Sequence, residues 1–110
     1  MNIQIFGTKK CFETKKAERY FKERRIKYQF IDLKVKNLSK GELRSVGQAI
    51  GVGNLVDPKA EYYRRFAAAS PDHQMELLLE DSTLYKTPIV RNGRQATVGY
   101  CPDVWGTWKD

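Results

Sequence analysis

The 110-residue chain is 41% hydrophobic and 30% charged, with a formal net charge of +7. This fits one compact domain over residues 1–110 with a modest core, and it argues against disorder. No apolar run approaches the roughly 18 residues that span a bilayer, and MNIQIFGTKKC lacks the basic-then-apolar order of a secretory leader, so the expected location is cytoplasmic. Two cysteines, Cys11 and Cys101, and one histidine, His73, make neither a disulfide scaffold nor a zinc spacing; no metal or bound cofactor is expected.

The charge is local. Residues 1–36 hold eleven Lys/Arg against four Asp/Glu, an excess of seven, while residues 37–110 hold nine of each. Such a segment suits an anionic substrate or an acidic protein partner. Glu13, Glu18 and Glu23 interleave with the cations as on a solvated helix face, so a membrane or nucleic-acid partner is not expected.

In chain order, NIQIF (2–6) alternates Ile3 and Ile5 and stops at Gly7, a first strand. Phe12 to about Arg25 places Ala17, Tyr20 and Phe21 on one helical stripe. KYQFIDL (27–33) returns to strand, with Tyr28 and Phe30 alternating against Gln29 and Ile31; the β-α-β unit allows parallel pairing. Ser39 and Glu42 form a capping box ahead of Leu43, Val46 and Ile50, and GVGNL (51–55) breaks that helix. Asp57-Pro58 predicts a helix start for a segment through about Ala68, and Ser70-Pro71 another before MELLLED (75–81). TPIVR (87–91), an Asn92-Gly93 turn and QATVG (95–99) predict a hairpin. Pro102-Asp103 then opens a short helix anchored by Trp105 and Trp108.

The whole is an α/β order, β-α-β … β-β-α with a helical insertion over about 37–84, which is the thioredoxin-like plan. In that plan a cysteine sits where the first strand enters the first helix, and Cys11 is there. A thiolate is the nucleophile, and a helix N-terminus with basic neighbours lowers a thiol's pKa. Lys9, Lys10 and Thr14 are therefore expected to stabilise a Cys11 thiolate. Thr14 also stands where a two-cysteine redox motif has its second thiol, so a local disulfide is excluded. Thr87-Pro88 opens a strand where thioredoxin-like folds place a cis-proline facing the cysteine, freeing backbone groups for an extended thiol substrate.

Other features have plainer readings. GVGN lacks the strand and longer glycine pattern of a phosphate cradle. His73 reads as a surface residue in a helix's first turn. In YYRRF (62–66) helical spacing buries Tyr62 or Tyr63 with Phe66 and leaves the arginines solvated.

The stretches IFGTKKCFETKKAERYFKERRIKYQFIDL, LVDPKAEYYRRF, TPIVRNG and VGYCPDVW resemble the ArsC-like branch of the thioredoxin superfamily, which holds glutaredoxin-coupled arsenate reductases and Spx regulators. The resemblance implies Cys11 as catalytic nucleophile and a groove formed by Thr87, Pro88, Gly99 and Tyr100. It also implies a thiol co-substrate, glutathione or another low-molecular-weight thiol, or a glutaredoxin-type reductant, with Cys101 as a candidate resolving thiol. Arsenate reductases hold their oxyanion with three arginines; at the matching positions this chain has Asp57, Thr87 and Tyr100, which argues against arsenate itself. The expected function is thus a thiol-dependent oxidoreductase. The alternative is an Spx-like interaction protein that binds the RNA polymerase alpha subunit.

Overall fold

The computed structural model describes residues 1–109. Its elements are β1 (Ile3–Gly7), α1 (Phe12–Glu23), β2 (Tyr28–Asp32), α2 (Lys40–Ile50), α3 (Tyr63–Ala67), α4 (Pro71–Glu80), β3 (Ile89–Asn92), β4 (Gln95–Val98) and α5 (Pro102–Trp105), with 3-10 turns at Val52–Leu55 and Ser82–Leu84. The four strands make one sheet in the order β2-β1-β3-β4. β1 pairs parallel with β2, Ile5 opposite Phe30, and antiparallel with β3, Ile5 opposite Val90.

β1 is covered on both faces. Ile3 and Ile5 join Ala17, Tyr20 and Phe21 of α1, Val90, Trp105 and Trp108 in one core layer. Phe6 points the other way, into a larger layer with Leu43 and Val46 of α2, Leu77, Leu78 and Ile89. Each side chain of this size contributes roughly 1.5–3 kcal/mol by leaving water. β2 follows the same rule: Ile31 is buried in the α2 layer, while Tyr28 and Phe30 are only partly covered, against the α1 layer. The final helix is pinned by Trp105, whose Nε1–H donates to buried Thr97 Oγ1 at 2.8 Å.

Local signals set most boundaries. Ser39 Oγ accepts from Glu42 N–H at 3.1 Å while Glu42 Oε1 accepts from Ser39 N–H at 2.8 Å, completing the capping box. Ser70 Oγ caps α4 by accepting from His73 N–H, and His73 is exposed in that first turn. α1 ends with Ile26 N–H donating to Phe21 O and Arg25 N–H to Lys22 O; Arg25 supplies the left-handed residue there, at φ 58°.

Two expectations are corrected. Asp57-Pro58 does not start a helix reaching Ala68: Asp57 Oδ1 accepts from Lys59 N–H and its carbonyl from Ala60 N–H, a local turn, and helix forms only over Tyr63–Ala67. Within α3 it is Tyr63 that packs with buried Phe66, and Tyr62 is exposed. The hairpin turn also lies one residue later than Asn92-Gly93. Asn92 pairs with Gln95, so the loop is Gly93-Arg94, with Gly93 at φ 60° in the first central position. Asn92 is held in the strand, and its Oδ1 accepts from Asn2 N–H.

Candidate functional site

The site begins where β1 runs out. Gly7 is required there, because a Cβ would collide with Thr14 Oγ1 and lie 2.6 Å from Thr14 Cγ2. The missing side chain lets the first turn of α1 press onto the strand end, leaving Thr14 1% exposed. Cys11 is the N-cap of α1, extended at φ −77°, ψ 119°, and its carbonyl accepts from Lys15 N–H at 3.2 Å. Its sulfur makes no side-chain capping bond, but it stands at the helix end where the first backbone N–H groups, those of Glu13 and Thr14, favour negative charge.

Residues 76 positions away complete its surroundings. Thr87 Oγ1 lies 3.0 Å from Cys11 Sγ and donates to it, while the thiol donates weakly to Thr87 O at 3.7 Å. The Thr87–Pro88 peptide is cis. Pro88 O accepts from Gly99 N–H at 2.8 Å, tying this segment to the turn that carries Cys101.

Burial pushes the Cys11 thiol up. The hydroxyls of Thr87 and Thr14 and the backbone N–H groups of Thr14 and Glu13 favour the thiolate and outweigh that, and the thiol is held below its ordinary value. Thr14 Oγ1 is buried and makes no hydrogen bond as the side chains stand. Ionisation of Cys11 gives this hydroxyl an acceptor, so the pocket suits the thiolate better than the thiol. The donors that lower the pKa are thus hydroxyls and backbone. Lys9 and Lys10 stand exposed on the turn before the helix, and the Lys16 ammonium lies over the Tyr100 ring, 4.6 Å from its centroid.

A groove of about 970 Å³ opens over the sulfur. Cys11, Thr87, Gly99 and Cys101 all line it, so both thiols face one space. Tyr100 is partly exposed and packs edge-on against Trp105, centroids 5.5 Å apart. Cys101 caps α5 and donates to Val98 O at 3.3 Å. Its pKa moves opposite to that of Cys11: burial and the Glu13 carboxylate push it up, against a smaller lowering by Thr97. Both cysteines are free thiols.

Sequence reasoning missed one contributor. Glu13 lines the groove with both thiols, its carboxylate against Gly99; its place two residues after Cys11 was the available signal. Thr87 was expected in the groove and at a matched arginine position, but its bond to sulfur has no local signature. Asp57 and Thr87, at two of the matched arginine positions, do line the groove, where the cations are Lys59 and Lys86 and no arginine contributes. Among the described residues no group of three or more His, Cys, Asp or Glu is arranged to hold a metal, and no helix is long and apolar enough to cross a membrane.

A mixed four-stranded sheet, a cysteine at the start of its first helix and a cis-proline segment hydrogen-bonded to that sulfur define a thioredoxin-like fold with a single thiol at that helix start. The glutaredoxin-like NrdH-redoxin of Escherichia coli shares this fold at a TM-score of 0.52 and 14% identity, over 100% of this chain and 97% of its own. The chain belongs to the ArsC family, whose sequence pattern it matches over residues 6–108. It is 26% identical to the uncharacterized protein YusI of Bacillus subtilis (strain 168), covering 94% of each chain. An arsenate reductase from Vibrio cholerae superposes with a TM-score of 0.82 at 24% identity, again over 94% of each chain.

Proposed function

We propose that this protein is a thiol-dependent oxidoreductase that works through Cys11 and an external thiol. The Cys11 thiolate attacks one sulfur of a small disulfide; a Cys11–substrate disulfide forms, and the other sulfur leaves as a thiolate. A low-molecular-weight thiol of the glutathione class then attacks that mixed disulfide, returns Cys11 as thiolate and carries the substrate sulfur away in a new disulfide. One disulfide is consumed and one formed in each step, so electrons balance.

The observation that supports this most directly is the 3.0 Å bond from Thr87 Oγ1 to Cys11 Sγ, added to a helix N-terminus. A cysteine kept only to fill space has no use for converging donors that favour its charged form. Turnover of arsenate fits the groove less well, because a doubly charged oxyanion needs fork-like donors and the lining supplies lysines set against Glu13 and Asp57.

Alkylation of Cys11 by iodoacetamide, followed across pH, tests the proposal. A half-maximal rate below the roughly 8.5 of a free thiol, with disulfide exchange abolished in Cys11→Ser, is expected. A profile indistinguishable from a free thiol overturns it. Binding of the polymerase alpha subunit that survives Cys11→Ser, in a protein with no exchange activity, would instead establish the interaction role.

A further inference from the structure

Residues 37–110 carry no net charge, yet the fold gathers three of their arginines around one cleft. It lies between α2 and the β3–β4 turn, has a volume of about 440 Å³, and is lined by Arg44, Ser45, Gln48, Arg91 and Arg94 with Gly41 at its edge. No carboxylate lines it, and among the described residues none of the three guanidinium groups is ion-paired. Glu42 is close by through Gln4 but already engaged: one oxygen accepts from Ser39 N–H and the other from Gln4 Nε2.

The cleft is partly organised without a ligand. Arg91 is half-buried, and its Nη1 donates to Gln4 Oε1 at 2.7 Å while its Nε reaches Gly93 O at 3.0 Å and Ser45 Oγ at 3.3 Å. Those bonds fix one guanidinium against the sheet. Arg44, on the helix, and Arg94, on the two-residue turn, are exposed and make no hydrogen bond or ion pair among the described residues. Holding three like charges on one small cleft is repulsive, and an anion relieves it. Guanidinium forks on two separate elements suit a ligand with two tetrahedral charged groups, each bound by paired N–H donors.

We propose that this cleft binds a diphosphate group through Arg44, Arg91 and Arg94. It is distinct from the thiol groove, with which it shares only Ala49 as a wall, and it does not depend on Cys11 chemistry. The diphosphate is either the free anion or that of a nucleoside diphosphate.

Titration with sodium pyrophosphate at fixed ionic strength, read by amide and arginine side-chain NMR shifts, tests this on the intact chain. Saturable shifts confined to Gly41–Gln48 and Arg91–Arg94 are expected. Binding should weaken at least tenfold in the double variant Arg44→Gln/Arg94→Gln, which leaves the Arg91 bonds in place. Lys9→Gln/Lys10→Gln should bind as the wild type does. A parallel titration with ADP identifies the source: equal affinity assigns the free anion, and tighter binding assigns the nucleotide. Shifts that never saturate, or that weaken equally in the lysine variant, overturn the proposal.

Discussion

The Thr87 hydroxyl donates to the Cys11 sulfur at 3.0 Å, across a sequence separation of 76 residues. A threonine therefore tunes the thiol from a position where arsenate reductases of this branch are expected to carry an arginine. Relative to that expectation, a charged donor for a bound oxyanion is replaced by a neutral donor aimed at the Cys11 sulfur.

Removing the hydroxyl with Thr87→Val should move the Cys11 alkylation profile to higher pH, because the donor favours the thiolate. A hydrogen bond to a charged group exceeds one to a neutral group by roughly 1–1.5 kcal/mol, so alkylation at neutral pH should slow by about five- to tenfold. Thr87→Ser should restore the wild-type profile. The same linkage acts on stability. The folded state favours the thiolate, so the wild type gains stability over Cys11→Ser as pH rises through the lowered folded pKa, and the gain is lost as pH falls back through it. Denaturant unfolding of the two proteins across pH measures that difference.

Cys101 shares the groove but is held in its thiol form by burial and by Glu13. Cys101→Ser should leave the Cys11 alkylation profile nearly unchanged and retain disulfide exchange with external thiol. Loss of exchange in this variant would show that Cys101 resolves the mixed disulfide internally. Mass spectrometry of the trapped intermediate separates the two outcomes.

The approach of α1 to β1 is steric as well as electrostatic. Gly7→Ala places a methyl against Thr14 and should cost about 1–3 kcal/mol as overpacking, read as a lower urea midpoint. The double variant Gly7→Ala/Thr14→Ala should recover much of that loss. The Thr14→Ala change alone should raise the Cys11 pKa, since the Thr14 hydroxyl favours the thiolate.

Arg25 holds the left-handed position after α1 at φ 58°. A residue with a Cβ pays about 1–2 kcal/mol for that conformation, so Arg25→Gly should raise stability by about 1 kcal/mol or less and increase Tm by a few degrees. Arg25→Ile should lower it. Neither change touches the groove, and Cys11 reactivity should stay as in the wild type.

Much of this was legible in the sequence because it is written within three or four residues. The Ser39/Glu42 box and the Ser70-Pro71 start both form as their spacing indicates. Ile3 and Ile5 share a face because strand side chains alternate. The misreadings also have local causes. Asp57-Pro58 offers the same side chain to a turn as to a helix, and the turn wins because no apolar stripe follows immediately to bury a longer helix. Asn92-Gly93 is outcompeted by one residue because Asn92 pairs with Gln95 and bonds Asn2, which leaves Gly93 to open the turn.

The sequence by itself determined that one thiol lies at a helix start, that no second thiol lies within a turn of it, and that the chain's excess charge surrounds it. These are properties of near neighbours. Only the tertiary structure decided what touches the sulfur, because the order β2-β1-β3-β4 carries the segment before β3 to the end of β1. That strand order sets Thr87 on Cys11, turns Cys101 into the same groove and draws Arg91 and Arg94 beside Arg44. Burying both faces of β1 is what holds that order in place, and no local pattern encodes which distant strand will lie beside it.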